Sequence, residues 1–222
     1  MQEAMHQLQT VWRTDLGRYI TMAAAGLIFI IISGRLFKKA NFSIRAMSYA
    51  SLSLGLAFIL SNFPVYRLPQ GGSITPLSMF FVVYVGFLFG PAIGVIGGIT
   101  FGLLRLAVNP FAIHPLQILL DYPLAFGMLG LSGLFWKKRG GIFIGFIVGS
   151  IGRFLMAWAS GYFFWIGAAT PGAAWTAAAY NASYILPDMA ITLVILAIPQ
   201  VRRALMQVKI QAHDKASGRM DM

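Results

Sequence analysis

The stretch HPLQILLDYPLAFGMLGLSGLFW, His114 to Trp136, decides the fold. From Pro115 onward it is an apolar run long enough to cross a hydrocarbon layer about 30 Å thick as a helix rising about 1.5 Å per residue. Asp121 nevertheless sits deep inside it, followed by Tyr122 and Pro123. An ionised carboxylate at mid-bilayer costs about 2.5–3.5 kcal/mol on insertion scales, so it must face protein or water. Either it has a partner or it has a task.

Composition extends this reading to the whole chain. Of 222 residues, 58% are hydrophobic and 10% charged, and the mean hydropathy is +0.75. Soluble domains are about a quarter charged, so the chain reads as an all-α integral membrane protein. Several spans fit, with no room for a soluble enzyme domain beside them. The absence of cysteine excludes disulfides, thiolate metal sites and cysteine nucleophiles. A net charge of +11 would suggest nucleic acid for a soluble protein. Here the basic residues lie between apolar runs, which is the positive-inside pattern, so no nucleic-acid partner is expected.

Seven apolar segments are expected, at roughly 18–36, 44–63, 75–89, 90–108, 115–136, 141–166 and 178–199. The first is not a signal peptide: it lacks a basic stretch ahead of it and a small-residue cleavage site. Basic clusters follow the first segment (Arg35, Lys38, Lys39, Arg45), the fifth (Lys137, Lys138, Arg139) and the last (Arg202, Arg203, Lys209). With seven spans all three fall on one side of the cell membrane, which puts the C-terminus in the cytoplasm and the N-terminus outside. The division at Phe89-Gly90-Pro91 is needed for that parity. Residues 1–40 form an extension with an extra span, 41–205 a membrane domain, and 206–222 a polar cytoplasmic tail.

Gly90, Gly94, Gly98 and Gly102 make a flat stripe for close helix packing, and Ala46 and Ala50 make a smaller one. Four ionisable residues lie at membrane depth: Arg105, Asp121, Arg153 and Asp188. Mutual neutralisation is the simplest explanation for Arg105 and Asp188 and a weaker one for Asp121. His114, Gln117, Trp165, Tyr180, Asn181 and Tyr184 gather at the outer ends of the last three spans. Any one of these aromatics could be an interfacial belt residue. A carboxylate, an amide and flat rings together suit a small planar heteroaromatic cation, with cation–π attraction adding about 0.5–2 kcal/mol. No catalytic, phosphate-loop or metal-ligating motif accompanies them, so neither an enzyme nor a cofactor is expected.

The segments PQGGS (69–73), GVIGGITFGLLRL (94–106), HPLQILLDYPLAFGMLGLSGLF (114–135) and YNASYILPD (180–188) resemble the thiamine-specific substrate-binding components of energy-coupling factor (ECF) vitamin transporters. The resemblance implies a six-helix bundle, here with one additional N-terminal transmembrane helix, and a pocket beneath a lid at 64–76. It implies that Asp121 meets an aminopyrimidine with Tyr122 beside it, that Trp165 stacks on the ligand, that Asn181 binds it, and that Arg153 is the basic group of the pocket. Gln117, His114 and Tyr184 complete the candidate site. Ala46 and Ala50 fall on the family's docking motif for the transmembrane coupling protein, which works with two ABC ATPases. Ala157, Thr176 and Thr75 depart from the family's histidine, tyrosine and acidic residue, so a thiamine precursor or another vitamin stays open. A ligand-sensing module for a signalling partner is the reading from another class, and a self-sufficient proton-coupled carrier a third.

Overall fold

The computed structural model describes residues 42–69, 71–111, 114–165 and 171–214, with residues 31, 34 and 35. The expected first span falls almost wholly outside the described residues, as does the chain from 215 onward.

Helix α1, Ile44–Ser61, starts at Ser43, whose hydroxyl accepts from Ala46 N, one of the amides a helix leaves unpaired at its start. A short lid hairpin follows, β1 (Tyr66–Arg67) antiparallel to β2 (Ser73–Ile74). Helix α2, Ser78–Phe89, ends at Gly90, which has φ 88°. That left-handed turn suits glycine, and Pro91 then opens α3, Pro91–Val108, where its missing N–H costs nothing. The division expected at Phe89-Gly90-Pro91 is present. At twelve residues α2 is too short to span alone. Ten of them are buried, so it forms the centre of the bundle rather than a lipid-facing span.

Helix α4 runs Pro115–Phe135 and is not regular. Leu120–Leu124 forms a π-turn around Pro123, because proline has no amide to give the preceding turn. Helix α5, Gly141–Ser160, passes into a second π-turn, Gly161–Trp165. Helix α6, Pro171–Ala197, takes in Pro171–Trp175, part of the stretch expected as loop, since proline at a first helical position favours the helix. Helix α7, Pro199–His213, crosses the end of the bundle. The stretch expected to be a polar tail is therefore helical as far as His213. Tyr84 OH donates to Leu205 O at 2.7 Å, the Lys209 ammonium bonds Trp136 O and lies 3.7 Å over the Phe87 ring, and His213 stacks on Phe89 and Trp136.

The bundle is inside-out by soluble standards. Ile144, Ile147, Ile151 and Leu155 form an exposed apolar ridge on α5, the face that hydrocarbon would cover. On α1 the exposed apolar residues include Ile44, Met47, Leu52 and Ile59. Ala46 and Ala50, expected to meet a partner, instead pack inward with Val85 and Ile93. Ala46 is 3% exposed and Ala50 9%, because the bundle needs small side chains where α1 crosses α2 and α3.

The glycine stripe is the main seam. A Cβ on Gly94 would lie 2.6 Å from Gly130 O, one on Gly98 would collide with Phe126 O, and one on Gly102 with Tyr122 O. Helices α3 and α4 thus run antiparallel with their backbones in contact. Gly98→Leu is expected to destabilise the fold by at least about 1–3 kcal/mol, the usual cost of overpacking. Gly55→Ala, where nothing lies within 4 Å, should be neutral or mildly stabilising; thermal melting in detergent checks both.

Candidate functional site

Because successive helices alternate in direction, the ends of α1, α3 and α5 meet the starts of α2, α4 and α6. At that end lies a cavity of about 440 Å³, large enough for a vitamin-sized ligand. Among the described basic residues at or beyond the span ends, Arg45, Lys137, Lys138, Arg139, Arg202, Arg203 and Lys209 belong to the opposite end, and Arg67 belongs to the cavity end.

The α3–α4 seam and the π-turn set the position of Asp121, which lines the cavity one turn and a half into α4. Its Oδ2 accepts from Gln117 Nε2 at 3.2 Å. Gln117 is itself fully buried, 0% exposed, so it holds the carboxylate without competing as a cation would. Ser160 stands beside it, its buried hydroxyl turned toward the carboxylate. Among the described residues none of Arg105, Asp121, Arg153 and Asp188 forms a direct ion pair; Arg153 lies within the fields of Asp121 and Asp188 without touching either. Arg153 sits with its guanidinium 4.5 Å over the Phe126 ring. Arg105 donates to Ser61 Oγ at 3.1 Å and to Asn62 Oδ1 at 3.4 Å. Asp188, 2% exposed, lies outside the cavity wall with Oδ1 unpartnered.

The other expected site residues divide. Tyr184 reaches the cavity, its hydroxyl donating to Asn181 Oδ1 at 2.6 Å. Asn181 lines the wall, but its amide is committed: Nδ2 donates to Ala177 O at 2.9 Å and Ala157 O at 3.2 Å. In this structure it ties α5 to α6 and aims Tyr184. Tyr122 is a strut as well, donating to Asn109 O at 2.9 Å and accepting from Phe111 N at 2.8 Å, so that it offers a ring rather than a hydroxyl. His114 is not in the cavity wall. Its Nδ1 accepts from Leu116 N and caps α4, and its ring stacks on Phe164. The Trp165 side chain lies outside the described residues.

Sequence reasoning left several wall residues out of the site. Phe126, Ser160 and Arg67 carry no local signal, since tertiary packing alone brings them there. Arg105 did carry one, being a charge at membrane depth. The lid closes directly on aromatics: Tyr180 OH accepts from Gly72 N at 3.0 Å, and a Cβ on Gly72 would come within 2.6 Å of the Tyr184 ring. Thr75, Ala157 and Thr176, the three departures, all line the cavity, so its wall differs from the pattern where a ligand would touch.

A lidded cavity at one end of an apolar helical bundle defines a membrane protein that holds a small molecule, and no cluster of metal-ligating side chains occurs among the described residues. The family whose sequence model matches residues 47–208 is the thiamine transporter protein family (Thia_YuaJ), and the chain belongs to it. That is a transport family, not one of enzymes. The chain is 32% identical over 147 residues to the thiamine transporter ThiT of Bacillus subtilis (strain 168), a match covering 59% of this chain and 76% of that one. The solved ThiT structure from Listeria monocytogenes is similar in fold, with a TM-score of 0.59 at 20% identity over 75% of this chain and 96% of that one. The all-helical, multi-pass membrane architecture is thus common to both.

Proposed function

We propose that this chain is the substrate-capture component of an importer, which binds thiamine or a closely related precursor and releases it inward. The observation that carries this reading is Asp121: a carboxylate on a cavity wall, held by Gln117 and in direct contact with no cation among the described residues. Transferring a charge from water to such a site is unfavourable unless a counter-charge arrives with the ligand. A protonated or cationic aminopyrimidine–thiazolium supplies one, and Phe126, Tyr180 and Tyr184 offer ring faces nearby. Closure of the hairpin over the ligand would exclude water and strengthen each of these contacts. The gathering of basic residues at the opposite end supports a cavity that opens outward, with the C-terminus in the cytoplasm.

Asp121→Asn is expected to weaken thiamine binding at least tenfold while leaving the melting temperature of the ligand-free protein within a few degrees. Unchanged affinity by titration calorimetry would refute the role of the carboxylate.

For uphill transport the chain must couple to an energy source, and an ECF coupling protein with two ABC ATPases is the partner we infer. Ala46 and Ala50 are covered by α2 and α3. The small outward residues of α1 are Ser48, Ser51 and Gly55, and a Cβ at Gly55 would meet nothing within 4 Å. Such a flat strip lets another helix approach closely. Gly55→Trp should abolish uptake into cells and retain thiamine binding by the purified protein. Normal uptake by that variant would exclude α1 as the docking helix.

A further inference from the structure

The cavity carries more positive charge than its proposed ligand can use. Arg67, Arg105 and Arg153 line it, against the single carboxylate of Asp121. Arg153 is accounted for, since it lies within the fields of both Asp121 and Asp188 and rests on Phe126. Arg105 has no such relief: the charges acting on it include those of Arg153 and Arg67. It is also anchored through one nitrogen only. Nη1 donates to Ser61 Oγ at 3.1 Å, Asn62 Oδ1 at 3.4 Å and Ser61 O at 3.5 Å, and neither Nε nor Nη2 is hydrogen-bonded to a described residue. The anchors fix the guanidinium plane while its remaining donors stay open. Arg67 stands on the lid strand β1, exposed, and its side chain makes no hydrogen bond or ion pair with a described residue.

A cationic ligand placed against Asp121 would add to this excess. A ligand cationic at one end and anionic at the other would relieve it at both. Guanidinium forks bind phosphate oxygens in pairs, through charge-assisted hydrogen bonds that carry direction as well as strength. Thiamine ends in a primary alcohol, the group on which a phosphate ester forms. We propose that Arg105, together with Arg67 on the lid, forms an anion subsite, and that the preferred ligand is the phosphate ester of the heteroaromatic cation rather than the free alcohol. The ring end rests on the function proposed above; the tail end is new. Because Arg67 belongs to the hairpin, an anion bound there also draws the lid down, so affinity for the ester and lid closure are one event.

The test is titration calorimetry on the full chain in an uncharged detergent, with thiamine and thiamine monophosphate as separate ligands. The ester is expected to bind about tenfold or more tighter than thiamine, with an advantage that shrinks as salt is raised. Arg105→Gln should remove most of that advantage, bringing the ratio of the two affinities close to one. Arg67→Gln, at an exposed position that the fold does not depend on, should reduce the advantage selectively as well, and serves alone if Arg105→Gln does not fold. Thiamine binding as tightly as the ester overturns the subsite and spares the vitamin reading. So does a loss of both affinities in parallel in both variants. Binding of neither compound overturns the vitamin reading, and with it this inference.

Discussion

The bundle depends on the backbone contact between α3 and α4. Lipid gives helices no hydrophobic reason to associate, so close packing must supply the energy. Gly94, Gly98 and Gly102 leave no room for a single added carbon against Gly130, Phe126 and Tyr122. That seam sets how far along α3 the π-turn of α4 sits, and hence that Asp121 and Arg105 reach the same cavity. Loosening the seam would displace both charges together. The π-turn is the local price of Pro123, and it widens α4 at the residue pair that faces the cavity.

A second constraint acts on the charges. In hydrocarbon an ionisable side chain must turn to protein or water, and three of the four at membrane depth line one cavity. No two of them are in direct contact as an ion pair among the described residues. Each is held by neutral neighbours: Gln117 for Asp121, the Phe126 ring for Arg153, Ser61 and Asn62 for Arg105. A site arranged in this way keeps its charges available, at a cost in stability that a ligand of matching polarity returns. Family membership says that the chain belongs with thiamine transporters; the arginines say where its own preference could diverge.

Much of the fold was legible in the sequence because its signals are local. Gly90-Pro91 marks the α2–α3 turn by backbone geometry alone, and the four-residue glycine spacing marks the seam. Asp121 stood out because a carboxylate in an apolar run is anomalous on any membrane scale. Other features were not local. Small residues on α1 occur on both its faces, so nothing in the pattern told that Ala46 and Ala50 pack inward while Gly55 faces out. Tyr122 and Asn181 were expected among the ligand-binding residues, and in this structure the Tyr122 hydroxyl and the Asn181 amide serve the backbone and Tyr184. Only the tertiary placement of Asn109, Phe111, Ala157 and Ala177 reveals it. The helical continuation to His213 was missed because a polar segment at a chain end reads as frayed unless its few anchors, here Tyr84, Phe87 and Trp136, are seen.

The most direct measurement is the identity of what the cavity holds in the cell. Protein extracted gently from its own membrane, denatured, and its released small molecules resolved by mass spectrometry should yield, close to one per chain, a heteroaromatic bearing a positive ring, as the free vitamin or its phosphate. Recovery of an uncharged or purely anionic compound at that stoichiometry would mean that Asp121 is not there to receive a cation.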